Sequence, residues 1–417
     1  MFKKITFCLF LFLGIIPTMV FASASSLAMV GGKYYDSLEE AIANAGSNET
    51  IKLISDVQLD DTLEINKTVN INLNGNDITA PSMVFKVNGG VLNLSGTGVI
   101  RETEPNYGAV ALVGSTDPSD SNYSIVNVGS GVKLEGWSGI FITHDNSKSY
   151  GVVVNLDGDI NAVDDVSGGS GIGVYVNGNI QHENGAPIVN IGDDVEITST
   201  GNGLYIAGYS TFNIGKAYIS GDEAGIGIKA GKLNIDGATV ISDGADNTPT
   251  EGYTNGIKAS GTAIQIESNS GYAGNIEINI DSGTFRSKNS YAVYEYIGKG
   301  SSTTVDLMDI SGGTFRAEGS KPVFGLSDSF KNTQGSFITG GRYTSDPSEY
   351  LESGYTANLD DGLYVVTSSS AKTVSGDGAN TDDGNGIFKT IAVIVIVGVA
   401  LVLVYLNRSK ILVLFRR

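Results

Sequence analysis

Cysteine is almost missing from this 417-residue chain, which contains one, Cys8. It lies in an apolar run, Ile5 to Phe21, that follows Lys3 and Lys4 and ends at Ala22-Ser23-Ala24, the small-x-small pattern of a signal peptidase site. The expected signal peptide is 1–24, so the mature chain has no thiol. An exported chain of this length without disulfides must hold together by packing and backbone pairing, and that points to a bacterial source.

Histidine is as scarce. His144 beside Asp145 and His182 beside Glu183 lack the spacing of a Cys/His metal centre, and both read as surface residues. No glycine loop follows a strand and opens a helix, so nucleotide binding has no support and no cofactor is expected. Trp137 is alone in a Gly/Ser turn. Proline numbers 8 against 56 glycines, and the glycines have no three-residue period, which excludes collagen.

Cations are the next deficit: 26 Lys and Arg against 45 Asp and Glu give a net charge of −19. Lys3, Lys4, Lys389, Arg408, Lys410, Arg416 and Arg417 lie in the two ends, so Ser25–Gly386 carries −26. Such a surface repels nucleic acid, and it disfavours pectate-like substrates unless a divalent cation bridges them. It suits a soluble, crowded cell surface.

One long apolar run follows the acidic region. Ile387–Leu406 is apolar except for Lys389, long enough for a transmembrane helix, and is followed by a basic tail, 407–417. The positive-inside bias places that tail in the cytoplasm and the preceding chain outside. Residues 368–386, glycine-rich and polar without periodicity, read as a flexible linker.

What the chain has in abundance is a repeat. Apolar-Asn-apolar triplets recur at Ile71-Asn72-Leu73, Leu92-Asn93-Leu94, Val126-Asn127-Val128, Val154-Asn155-Leu156, Val189-Asn190-Ile191, Phe212-Asn213-Ile214, Leu233-Asn234-Ile235 and Ile278-Asn279-Ile280, with Met308-Asp309-Ile310 in the same slot. The asparagines are spaced by 21, 34, 28, 35, 23, 21 and 45 residues; the shortest spacing sets the period, and the 234–279 interval is expected to hide a further coil. Further alternating runs, such as Gly171–Val176 and Gly203–Ile206, supply two or three short strands per period. Strands this short must stack to bury a face. The expected fold is all-β, a right-handed single-stranded parallel β-helix over 25–367; a β-sandwich or propeller is the alternative. Ser37-Leu38-Glu39-Glu40 is a capping box, so Ser37–Ala45 is expected to form a short helix within an N-terminal cap, 30–50; a second cap covers 335–367.

Two regions carry a family resemblance. Val30-Gly31-Gly32-Lys33-Tyr34-Tyr35, Ile51–Val57 and Ile71-Asn72-Leu73-Asn74-Gly75 resemble the start of pectin-lyase-like β-helix modules in surface proteins of Gram-positive bacteria. Ser311-Gly312-Gly313-Thr314-Phe315, Gly340-Gly341-Arg342-Tyr343, Asp346–Leu351 and Asp361–Val366 resemble their close. The resemblance implies the fold but no single activity, since such modules include lyases, hydrolases and non-catalytic proteins. No Leu-Pro-x-Thr-Gly sorting motif precedes the anchor, so the helix itself is the expected anchor.

For chemistry, the best acidic pairs are Asp164 with Asp165 and Asp193 with Asp194. At 29 residues apart they can fall on successive coils as acid and base, or bind calcium through oxygen ligands. The bland alternative is ordinary turn chemistry. The hydrolase Gly-His-Gly and Arg-Ile-Lys clusters are absent, and of Arg101, Arg286, Arg316 and Arg342 three belong to repeat phrases that suggest a stacked structural position. Outward asparagines can hydrogen-bond in a ladder, and Tyr205, Tyr209 and Tyr218 can form a sugar-stacking strip. The leading reading is a non-enzymatic surface rod for adhesion or surface structure, with a polysaccharide, host glycan or host protein as partner. A polysaccharide lyase or hydrolase and a carbohydrate-binding module are the alternatives.

Overall fold

The structure is a computed structural model, and it describes residues 26–114, 123–145, 151–247 and 261–369. The expected signal peptide, transmembrane helix and basic tail lie outside the described residues, as does all but the start of the linker. Among the described residues no helix is long and apolar enough to cross a membrane.

Period-two alternation makes the strands. Val126 and Val128 are buried while Asn127 between them is half-buried, and the same pattern recurs at Val154-Asn155-Leu156. Three strands make a coil, as in Gly151–Leu156, Asp159–Ala162 and Ile172–Val176. The chain then returns as Ile188–Ile191, which pairs in parallel with Gly151–Leu156 and sets Asn190 opposite Asn155. First- and second-position strands join in a 23-stranded sheet; third-position strands, from Leu63–Ile65 to Phe324–Gly325, form a 10-stranded sheet. The fold is therefore an all-β solenoid of parallel sheets. One apolar cluster, from Ala28 to Val366, runs through it.

Stacking register corrects three readings of the repeat. The slot before Asn93 belongs to Asn70, not Asn72, which faces Ser95. Alternation puts both asparagines on one face, and only pairing chooses between them. The 234–279 interval hides no coil, because Asn234 lies directly opposite Asn279. Its extra length is one insertion between Ser242 and Thr262, and Thr262–Ser268 is the third strand of the same coil. Arg286 stacks on Arg316, but Arg342 stands opposite Thr314, because Tyr343 takes the slot of Phe315. Asp309 does occupy the asparagine slot, opposite Asn279.

Third-position strands approach second-position side chains closely, and glycine permits it. A Cβ on Gly139, Gly173 or Gly203 would stand 2.5, 2.4 or 2.5 Å from a methyl of Ile160, Ile197 or Ile219. Register stacks these glycines in one column that continues to Gly225.

Both ends abandon parallel pairing. Ala28–Val30 pairs antiparallel with Lys33–Tyr35 and with Thr50–Leu53. Helix α1, Leu38–Asn44, begins at Ser37, whose hydroxyl accepts from Glu40 N at 3.1 Å, and it buries Leu38 and Ala41. At the other end Tyr355–Asp360 and Leu363–Ser368 form an antiparallel hairpin. A second short helix, α2, Asp328–Thr333, carries buried Phe330 into an aromatic group with Phe337, Phe324 and Tyr350.

Candidate functional site

The paired aspartates fall in different corners. Asp164 and Asp165 lie between Asp159–Ala162 and Ile172–Val176, the second-to-third corner; Asp193 and Asp194 lie between Ile188–Ile191 and Glu196–Ser199, the first-to-second corner. The stacking neighbours of Asp193 are in the Asp157 corner, so the two pairs are not brought together as acid and base.

The carboxylates of Asp165 and Asp193 are held by nearby donors, mostly backbone N–H groups. Asp165 Oδ1 accepts from Ser167 N and Ser167 Oγ at 2.7 Å and from Gly169 N at 2.8 Å. The Ser167 and Gly169 bonds hold its pKa below the usual carboxylate range. Asp193 Oδ1 accepts from Lys216 N at 2.9 Å in the next coil, and that bond, with the nearby Lys216 ammonium, lowers its pKa. The pattern recurs: Asp56 accepts from Asp77 N, Asp77 from Val99 N and Asp159 from Glu196 N. Asp56, Asp77, Asp159 and Asp193 thus each tie their coil to the next. Asp194 adopts φ 65°, a left-handed turn position.

A general acid needs a raised pKa, and among the described residues Glu223 is a carboxyl with that property. Burial raises it, and the charges of Asp164 and Asp222 add to the effect, against a 2.8 Å hydrogen bond from Ser170 Oγ. Sequence reasoning missed Glu223 because its burial depends on the 163–171 corner folding over it from another coil. Among the described residues no three of His, Cys, Asp and Glu converge to hold a metal ion.

His144 is not a surface residue: it is 8% exposed and neither ring nitrogen has a hydrogen-bond partner. The strand Ser138–His144 runs seven residues, and alternation with buried Ile140 and Ile142 carries His144 inward. Burial, with a contribution from His182, lowers its pKa to about 4. His182 is exposed. Asn179 brings their segments together, donating to Thr143 Oγ1 and His144 O, each at 3.0 Å.

The asparagines do form a ladder. Nδ2 donates to the preceding Oδ1 from Asn93 to Asn70, Asn127 to Asn93, Asn155 to Asn127, Asn190 to Asn155, Asn213 to Asn190, Asn234 to Asn213 and Asn279 to Asn234, at 2.6–3.0 Å. Asn70 closes it by donating to Ser47 O and Glu49 O.

Tyr205, Tyr209 and Tyr218 do not form one strip. Tyr205 is buried in a third-position stack, with Phe141 on Tyr175 at 5.0 Å and Tyr175 on Tyr205 at 4.9 Å, the ring planes nearly parallel. That stack spends ring faces on each other. Trp137 packs on Tyr175 and donates Nε1 to Ser170 O. Tyr218 lies on a second-position strand and Tyr209 in the third-to-first corner. Tyr209 instead lines a groove of about 390 Å³ with Glu183, Lys232, Asn275, Glu277 and Asp306. There Lys232 Nζ lies 3.2 Å from Glu277, which holds its pKa up, and 3.8 Å from Glu183.

No known family, curated protein or solved structure matches the chain.

Proposed function

We propose that this chain is a non-enzymatic bacterial cell-surface protein, a right-handed single-stranded parallel β-helix that serves adhesion or surface structure. The signal-like segment 1–24 exports it and the apolar segment 387–406 anchors it in the membrane. The observation that carries the reading is the use made of its polar groups. The asparagine amides and the corner carboxylates of Asp165 and Asp193 are engaged in stacking and turn bonds, which favours architecture over turnover. The acidic surface suits an exposed, soluble ectodomain.

A second reading, a carbohydrate-binding module, draws on the groove at Tyr209, where an aromatic ring, an amide and carboxylates converge as sugar recognition requires. Protease treatment of intact cells tests the placement. Loss of the ectodomain with retention of a membrane-bound stub is the expected result; protection of the whole chain contradicts it.

A further inference from the structure

A buried charged pair lies where the third-position strand Ala224–Ile228 ends beside Thr262–Ser268. Ile228 lies opposite Ile266, so the next residues, Lys229 and Glu267, are neighbours across the ladder. Their side chains are 0% and 1% exposed, with Nζ 2.8 Å from Oε2. The contact has the length of an ion pair without the direction of a hydrogen bond, and neither Glu267 oxygen is hydrogen-bonded. The Tyr272 hydroxyl lies 3.2 Å from Nζ, and the Tyr272 ring centroid lies 4.6 Å from it. Two residues before Glu267, on the same face, Gln265 is also buried.

Keeping two ions in such a place costs more than their attraction returns unless hydrogen bonds satisfy the remaining oxygens. Moving one proton from Nζ to the carboxylate removes both charges and leaves an amine in contact with a carboxylic acid. An amine is a nucleophile once uncharged, and held contact of this kind corresponds to effective molarities of about 10⁵–10⁸ M. Enclosure keeps bulk water from reversing the reaction.

We propose that Lys229 and Glu267 condense to an isopeptide bond. The Nζ lone pair attacks Cδ of Glu267, the C–N bond forms, and one carboxyl C–O bond breaks. The departing oxygen leaves with two protons as one water, so an ammonium and a carboxylate become an amide and water with no oxidant or co-reactant. The bond clasps two adjacent coils, one on each side of the stretch between Ser242 and Thr262. It closes a loop in a mature chain that has no cysteine for the purpose.

Tryptic digestion of the purified full chain followed by mass spectrometry tests this. The expected result is no cleavage after Lys229, with Ala217–Lys232 joined to Ala259–Arg286 and the joined pair lighter than their sum by one water, about 18 Da. Lys229→Arg keeps the positive charge, cannot form the amide, and is expected to release the two peptides separately. Cleavage after Lys229 with both peptides free in the unaltered chain overturns the proposal. Linkage of Lys229 to Gln265 with loss of ammonia, about 17 Da, overturns Glu267 as the partner. Neither readout depends on whether the chain is an adhesin, a lectin or an enzyme.

Discussion

The outer faces of the first- and third-position strands use polar side chains in opposite ways. On the first, asparagines repeat coil after coil and each amide hands a hydrogen bond to the next. On the third, residues stacked above one another differ: Phe141, Tyr175, Tyr205, Gly227, Gln265 and Tyr294 occupy one column. The first face is a periodic structural seam. Buried groups that stacking leaves without hydrogen bonds, Gln265 and the Glu267 carboxylate among them, lie on the third. A solenoid that spends its repeating polar positions on architecture keeps its irregular positions for anything else.

The sharpest break in that comparison is expected from Gly203→Val on a third-position strand. Its Cβ would meet an Ile219 methyl at 2.5 Å and Gly225 O at 2.6 Å, so backbone must move. The expected cost is about 3 kcal/mol in urea unfolding, the upper end for overpacking.

His144 comes next, through pH. Its folded pKa of about 4 lies below its ordinary 6.5, so the unfolded chain binds the extra proton first. Stability is therefore full above about pH 6.5 and falls as pH drops toward 4, by about 3 kcal/mol. His144→Leu is expected to flatten unfolding midpoints across that window; an unchanged slope would place the titration elsewhere.

Asn155→Ala tests the first face. It leaves Asn127 Oδ1 and Asn190 Nδ2 without their ladder partners and is expected to cost about 1 kcal/mol, with Asn213→Ala, at an exposed rung, costing less. Equal costs at the two rungs would detach the ladder from burial. Smallest of all is Asp193→Asn. Asp193 is exposed and keeps an oxygen for Lys216 N as asparagine, so thermal unfolding should hardly move at neutral pH. Because the depressed carboxylate pKa adds stability only above its ordinary range, the variant's difference from the native chain should vanish in acid.

Much of the solenoid was legible because alternation and turn residues are local. Val126-Asn127-Val128 announces a strand with two buried residues, and Ser37 with Glu40 announces the helix that follows. Register was not legible: Asn70 and Asn72 share a face, and stacking alone selects Asn70. Insertion and extra coil also look alike in a spacing of 45 residues, as 234–279 demonstrates. The candidate chemistry suffered most. Asp164, Asp165, Asp193 and Asp194 are conspicuous as dipeptides, but the corner each occupies depends on strand order. Glu223 and the Lys229–Glu267 contact arise from residues on different coils, with no local signature.

The claim that this polar surface serves stacking rather than turnover is tested most directly by incubating the purified ectodomain with plant, host and bacterial polysaccharides, with and without calcium, and measuring new chain ends. None is expected from any substrate in either condition. Release from even one, abolished by Glu223→Gln or by Asp164→Asn, would contradict the account and make the second-to-third corner an active site.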